Sequence, residues 1–243
     1  MTLGTYPPLN GPKSVAPDVW IVDGPLIRFG LPLLKIPFPT RMTIIRLSCG
    51  GLFVHSPTEL SPALKTAVLR LGTPRWIVAP SRIHYWWLPA WHAAFPEAEV
   101  YAAPRVREQA GSRIDFACRS LDRTQGYPWD GEIATLPIAG RFLTEVEFFH
   151  KPSRTLVLTD LIENFEADKV SCALRWLMRL AGILDPHGGI PRDLRMTFPK
   201  AVLRDAVIQM IAWYPERVIL ALGRWYAKDG AAELRRAFRW LLQ

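Results

Sequence analysis

The order of strand-like and helix-like segments constrains this chain more than any other feature of its sequence. Residues 19–55 contain runs typical of antiparallel strands, and the turn signal Asp23-Gly24 is predicted to separate two of them. From Ser61, a good helix N-cap, the pattern alternates helix, strand, helix and strand as far as Ala103. The first half of the chain is therefore expected to begin as a strand meander and to continue as α/β layers.

The second half of the chain repeats this order. Residues 132–160 return to strands, and helical spacing follows over residues 171–184 and 199–213. A strand at 218–221 and a helix at 231–242 complete the pattern. Two halves of one type predict the α/β class, in the form of a four-layer αββα sandwich with two mixed sheets and outer helices.

Chain length and the composition of the amino-terminal segment predict the domain organisation. A chain of 243 residues is long enough for between one and two domains of roughly 150 residues each. Residues 1–17 are rich in proline and glycine and predict an extended arm. The two similar halves fit one sandwich better than two separate domains, so we expect a single domain over residues 18–243.

The chain is basic, but its net charge narrows the choice of partners only slightly. It has 30 Lys and Arg residues against 22 Asp and Glu, a formal net charge of +8. That excess suits an anionic small molecule, and because no nucleic-acid-binding motif accompanies it we expect no nucleic-acid partner. No apolar run approaches the length of a transmembrane segment and no secretory signal is visible, which predicts a cytoplasmic protein.

Three segments of the sequence resemble a known family. They are residues 51–57, residues 76–85 and the strand pair that ends at Asp160. In order, they resemble an early hairpin strand, the metal-binding loop and the strand pair before the bridging aspartate of the metallo-β-lactamase superfamily. In detail the chain is similar to a branch of that superfamily known as a domain of unknown function. The resemblance spans about residues 19–242 and implies the αββα fold, with a site at one end of the sandwich.

The metal motif of the superfamily is the part that this sequence does not keep. Members of the superfamily carry His-x-His-x-Asp-His in the metal loop. In the best register, the motif positions here hold Pro80, Arg82, His84 and Tyr85. The last metal-binding histidine is replaced by Leu222-Gly223, whereas Asp160 keeps its ligand identity. Side chains of Pro, Arg and Leu cannot ligate a divalent metal, so these departures predict a degenerate site with no resident metal or other cofactor.

His84 and Asp160 are the candidate catalytic pair of this degenerate cleft. Arg82 would replace the positive charge of the metal and hold an anion beside them. The further candidates for ligand binding flank the same loop and are Ser81, Trp86 and Trp87. The sequence thus predicts a protein that binds or processes a small anionic ligand in the former active-site cleft, and it leaves open whether that protein is an enzyme.

Two alternative functions remain open at the level of sequence. In the first, His55, His84 and Asp160 form a rearranged site for a single zinc or iron ion in a hydrolase, because three protein ligands and a water suffice for a catalytic metal. In the second, the protein is a non-catalytic scaffold or dimerisation protein. An apolar stripe over residues 174–181 would then be the contact face of a homodimer.

Overall fold

Two β-sheets form the centre of the protein. The computed structural model describes residues 4–31 and 34–243, and within that part of the chain one sheet has seven strands and the other has four. The seven-stranded sheet is formed, in spatial and chain order alike, by β1 (Lys13–Ala16), β2 (Val19–Leu31), β3 (Leu34–Arg46), β4 (Gly51–His55), β5 (Thr73–Ala79), β6 (Glu99–Ala102) and β7 (Arg119–Ser120). The other sheet is formed by β8 (Ile133–Ala139), β9 (Thr144–His150), β10 (Thr155–Leu158) and β11 (Arg217–Leu220), in the spatial order β11-β10-β9-β8.

The helices pack against these sheets. They are α1 (Pro62–Leu71), α2 (Leu88–Ala94), α3 (Val106–Ala110), α4 (Cys172–Ala181), α5 (Arg192–Arg195), α6 (Lys200–Ala212), α7 (Gly230–Ala237) and α8 (Arg239–Leu242). α1 and α2 contact β5, and α6 contacts β8. This arrangement confirms the predicted α/β class with two mixed sheets and helices. Among the described residues, no helix is long and apolar enough to cross a membrane.

Each sheet mixes antiparallel and parallel strand pairs. The first four strands pair antiparallel, whereas β4, β5, β6 and β7 pair parallel. In the smaller sheet, β8, β9 and β10 pair antiparallel and β11 joins β10 in parallel. His55 at the end of β4 lies opposite Val78 near the end of β5, so the residues that follow these two strands leave the sheet at the same edge.

The predicted turn at Asp23-Gly24 is wrong, because β2 runs through both residues and pairs with β3. Asp23 is buried and accepts a hydrogen bond at 2.8 Å from Nε of Arg41 on β3. Gly24 lies so close to Thr58 that a Cβ atom would overlap the threonine side chain. Asp23 therefore forms an ion pair and Gly24 permits a close contact with Thr58, both inside a long strand. The carboxyl-terminal part of the predicted extended arm, residues 13–16, forms the edge strand β1.

Aromatic side chains fill the space between the two sheets. Phe53 on β4 packs edge-on against Trp129 and against Phe148 on β9, with ring centroids 4.9 and 5.1 Å apart. The indole Nε1 of Trp129 donates a hydrogen bond to Thr135 Oγ1 at 2.9 Å, so its polar atom is satisfied in the core. This packing fixes β4 and β9 relative to each other.

One face of α4 is apolar and exposed. Leu174 and Met178 are buried, as expected for a helix packed on the domain. Trp176, Leu177 and Leu180 are 69%, 51% and 53% exposed. The helix ends at Ala181 and is capped by Gly182 in the left-handed conformation, two residues after Leu180. The predicted apolar stripe is therefore divided between the core and the surface.

Candidate active site

The candidate residues come together at one end of the sandwich. His84 lies in the loop after β5, and Asp160 follows β10 by two residues. Ser56 comes directly after β4, which is the parallel neighbour of β5. The sequence thus positions three polar side chains on loops that leave strand ends, where sites of α/β proteins are commonly built.

His84 is the centre of a chain of three hydrogen-bonded side chains. Its Nδ1 lies 2.8 Å from Oγ of Ser56. Its Nε2 lies 3.3 Å from Oδ1 and 3.2 Å from Oδ2 of Asp160. An ionised carboxylate only accepts hydrogen bonds, so Nε2 carries the proton towards Asp160. Nδ1 of the neutral imidazole is then free to accept the hydroxyl proton of Ser56.

Ser56 is a site residue that the sequence analysis missed. Its backbone has a φ of +50°, a conformation that non-glycine residues rarely adopt, and its N–H donates to the carbonyl of Val78 at 2.9 Å. Strained residues of this kind occur often at functional sites. The signal in the sequence was Ser-Pro directly after a buried strand, but the pattern alone does not show that the hydroxyl meets His84.

Glu145 is a second residue that the sequence analysis missed, and it positions Asp160. Its Oε1 accepts hydrogen bonds from the backbone N–H groups of Thr159, Asp160 and Leu161, at 2.8 to 3.0 Å. The Thr159 hydroxyl donates to the same oxygen at 2.6 Å. One carboxylate therefore organises the whole turn that presents Asp160 to His84.

Buried carboxyl groups determine the electrostatics of the site. Burial alone would lower the pKa of His84, but the carboxylates of Asp160 and Glu145 outweigh it and raise the pKa above its ordinary 6.5. Burial, reinforced by Asp160 and Asp193, raises the pKa of Glu163 well above 4.5. Burial and the neighbouring Glu145 raise the pKa of Glu147 in the same way. The site therefore combines a proton acceptor with carboxyl groups that hold their protons to unusually high pH.

A cavity of about 210 Å³ opens beside the His84–Asp160 pair. Most of its lining is apolar and comes from Ile27, Phe38, Pro39, Pro57, Ile83, Trp86, Trp87, Phe142, Leu143, Pro191, Leu194 and Leu222. Its charged or ionisable lining, within the described residues, consists of His84, Asp160, Glu163 and Asp193. Trp86 and Trp87 form part of the apolar wall. The lining favours a molecule that is mainly apolar and carries no negative charge.

Arg82 and Ser81 lie outside this cavity lining. The Arg82 guanidinium hydrogen-bonds to the side-chain oxygen of Gln109 and lies over the ring of Phe142, 5.0 Å from its centroid. Ser81 is fully buried, and its hydroxyl accepts a long hydrogen bond of 3.5 Å from the N–H of Ile83. Gln109 lies on α3, so the Arg82 side chain is directed towards that helix and is held there by protein groups.

The same geometry tests the metal that the fold family implies. Both ring nitrogens of His84 are engaged by Ser56 and Asp160, which leaves no lone pair directed at an ion. His55 is buried in the core against Phe148, with ring centroids 5.4 Å apart, and burial together with His84 lowers its pKa to about 3. Across the part of the chain that the structure describes, no group of three His, Cys, Asp or Glu side chains could hold a metal ion. The residues present do not fit the alternative site of His55, His84 and Asp160.

Comparison with known proteins gives one family and one fold. A family model described as a domain of unknown function, DUF4336, matches residues 18–177. No curated protein matches the chain by sequence. Among solved structures, the chain resembles the DIM-1 metallo-β-lactamase, with 12% identity, a TM-score of 0.61 and coverage of 99% of this chain and 98% of that one.

Two further solved structures are similar over nearly the whole length of this chain. A metallo-β-lactamase from Pontibacter korlensis has 12% identity and a TM-score of 0.57, with coverage of 95% of this chain and 97% of that one. The Flv1 flavodiiron core from Synechocystis has 11% identity and a TM-score of 0.61, with coverage of 100% of this chain and 62% of that one. At identities this low, the similarity shows a shared fold and not a shared function.

Proposed function

The chain belongs to the DUF4336 family and has the metallo-β-lactamase fold, and on that premise we propose that its cavity binds a small, mainly apolar molecule and processes it by acid–base chemistry. The observation that carries the proposal is the His84–Asp160 pair at the wall of an apolar cavity. Pairs of a histidine and a carboxylate in a pocket of this kind are the usual machinery of proton transfer.

The proposed ligand differs in charge from the anion that the sequence predicted. That prediction depended on Arg82, which is not among the residues that line the cavity and whose guanidinium hydrogen-bonds to Gln109 and lies over the ring of Phe142. Asp160 and Asp193 instead line the cavity, and a carboxylate at either position repels an anion. We therefore assign the cavity to an uncharged molecule, recognised by its shape and by one polar group.

Glu163 supplies a suitable contact for that polar group. Its raised pKa means that it keeps its proton where an ordinary carboxyl group has lost it, so it donates a hydrogen bond to a carbonyl oxygen. His84 accepts a proton from the reacting group, and Asp160 stabilises the imidazolium that results. Glu163 thus donates a hydrogen bond to the bound molecule, while His84 accepts a proton from it.

Binding is tested with two fluorescent probes of similar size and different charge. Prodan, which is uncharged, should bind and quench the fluorescence of Trp86 and Trp87, whereas anilinonaphthalene sulfonate, an anion, should bind at least about tenfold more weakly. Leu194→Trp should fill the cavity and abolish prodan binding. The control is Leu69→Trp at an exposed leucine of α1, which should bind as the unmodified protein does. Tighter binding of the anion, or unchanged prodan binding by L194W, would refute the proposal.

The exposed face of α4 supports a second candidate function, a dimerisation protein. Trp176, Leu177 and Leu180 together form an apolar surface of the kind that marks a protein contact. Trp is also among the residues most enriched at the centres of interfaces. This proposal concerns assembly and is compatible with a ligand in the cavity, since neither function uses the residues of the other.

A further inference from the structure

We propose that Ser56 is a catalytic nucleophile and that the protein hydrolyses small uncharged carboxylic esters through a covalent acyl-Ser56 intermediate. This inference rests on the proposed function, because it uses the same cavity, and it adds the nucleophile, the reaction and the substrate class. It requires three features: an activated hydroxyl, a backbone that presents it, and a cavity that accepts the acyl group.

The hydroxyl is activated by the arrangement of three side chains. Ser56 Oγ lies 2.8 Å from His84 Nδ1, and Asp160 takes the opposite ring nitrogen at 3.2 Å. A nucleophile, a base within hydrogen-bond reach and a third group that orients the base together form the arrangement that serine nucleophiles require. The imidazole is used with its two nitrogens exchanged relative to the common serine triad. Proton transfer requires only that the unprotonated nitrogen faces the hydroxyl.

The backbone at Ser56 presents the hydroxyl at a sharp turn. The strand β4 ends at His55, and Ser56 turns the chain with its φ of +50° before Pro57. Nucleophilic serines are commonly found on strained turns after a strand, where the side chain projects away from both flanking segments. Ser56 and Pro57 both line the cavity, so the strained turn forms part of its wall.

The reaction balances with water as the only co-reactant. The Oγ atom of Ser56 attacks the ester carbonyl carbon while its proton moves to Nδ1 of His84. The bond between the carbonyl carbon and the leaving oxygen then breaks, and the same proton passes to the leaving alkoxide, which departs as an alcohol. Water attacks the acyl-Ser56 ester, gives one proton to His84 and releases the carboxylic acid, after which that proton returns to Ser56. No oxidant, reductant or metal enters these steps.

The cavity determines the substrate class. Apolar side chains make up most of the lining beside Ser56, so an aliphatic or aromatic acyl chain is accommodated there. The acidic side chains of Asp160 and Asp193 disfavour an acyl group that carries its own carboxylate. A volume of about 210 Å³ limits the substrate to a short ester.

The chain contains a matched serine–histidine pair that serves as an internal control. Ser153 Oγ lies 2.7 Å from Nδ1 of His150, as close as in the candidate site. No carboxylate within the described residues hydrogen-bonds to His150, and burial lowers its pKa, so it is a poor base. Ser153 also lies outside the apolar cavity. If proximity to a histidine alone made a serine reactive, both serines would react.

The test uses an alkyl fluorophosphonate, which is uncharged and transfers its phosphorus to activated serines with loss of fluoride. The full-length protein should gain one adduct, and peptide mass spectrometry should place it on Ser56. Ser56→Gly should abolish the adduct, and since glycine adopts a φ of +50° without strain this variant should keep its thermal stability. Ser153→Ala should label as the unmodified protein does. Hydrolysis of p-nitrophenyl butyrate should fall at least about 1,000-fold in S56G.

Each outcome of the labelling and hydrolysis assays either supports or overturns the proposed nucleophile. An adduct on Ser56 that is lost in S56G and kept in S153A supports a nucleophilic serine. No adduct, an adduct on Ser153, or equal hydrolysis by S56G overturns it. Prodan binding in the absence of labelling would overturn the nucleophile while leaving the proposed binding function intact. Loss of prodan binding would remove the binding function itself, so the two failures are distinguishable.

Discussion

Replacement of Arg41 with methionine should destabilise the protein strongly, because Arg41 joins the two halves of the fold. Its side chain is buried, and Nε donates to Asp23 on β2 at 2.8 Å. Its Nη1 donates to the carbonyl of Leu220, the last residue of β11, at 2.6 Å and to the carbonyl of Gly223 at 2.8 Å. One guanidinium thus connects the larger sheet to the segment that holds Leu222 at the cavity wall.

The size of the effect follows from what the substitution leaves behind. Removal of one partner from a buried ion pair costs about 3–5 kcal/mol, and each buried acceptor left without a donor costs about 1–3 kcal/mol. Lys13 remains 2.5 Å from Asp23, and its partly exposed side chain offsets part of this loss. We therefore expect Arg41→Met to lower the free energy of unfolding by at least about 4 kcal/mol, which for a domain of this size lowers Tm by at least roughly 8 °C.

Urea unfolding monitored by tryptophan fluorescence measures this effect. The matched control is Arg46→Met, because Arg46 pairs with Asp18 at 2.5 Å while both side chains are more than 40% exposed. Exposed pairs contribute about 0–1 kcal/mol, so the control should unfold almost as the unmodified protein does. If the two variants differ by less than about 1 kcal/mol, the buried arginine does not hold the two halves together and the reasoning is refuted.

Three further predictions test the site and the surface. The histidine resonance of His84 should titrate above pH 6.5, and Asp160→Asn should lower that pKa because it removes the carboxylate that stabilises the imidazolium. An unchanged titration in D160N would show that Asp160 does not act on His84. Glu147→Gln should become increasingly stabilising as the pH rises above 4.5, since a raised pKa in the folded state makes the native glutamate lose stability over that range. Unfolding free energies that run parallel with pH in the two proteins would contradict this. Trp176→Glu should convert a dimer into a monomer in light scattering after size-exclusion chromatography, and a wild-type monomer would exclude the proposed homodimer.

Much of the fold and part of the site could be read from the sequence. Strand and helix periodicity gave the two mixed sheets and their helices, because burial of apolar faces repeats with a fixed spacing along each element. His84 follows a strand of one sheet and Asp160 a strand of the other, and the two side chains meet at one end of the sandwich, where the resemblance placed the site. The Asp23-Gly24 pair predicted a turn that the structure replaces with a continuous strand, because the same residues also suit a buried ion pair and a close approach to Thr58.

What the sequence alone determined was the architecture, since it follows from local patterns and from the order of elements, whereas the neighbourhood of the site was implied by the resemblance to the metallo-β-lactamase superfamily. What only the tertiary structure decided was the direction of individual side chains on the loops. Arg82 turns to Gln109 and Ser56 turns to His84, although nothing near either residue in the sequence specifies those partners. A loop side chain has no periodicity to fix it and takes the orientation that satisfies its polar atoms among distant groups. The chemistry proposed for this protein depends on these side-chain orientations, because the nucleophile and its base are 28 residues apart and meet only after folding.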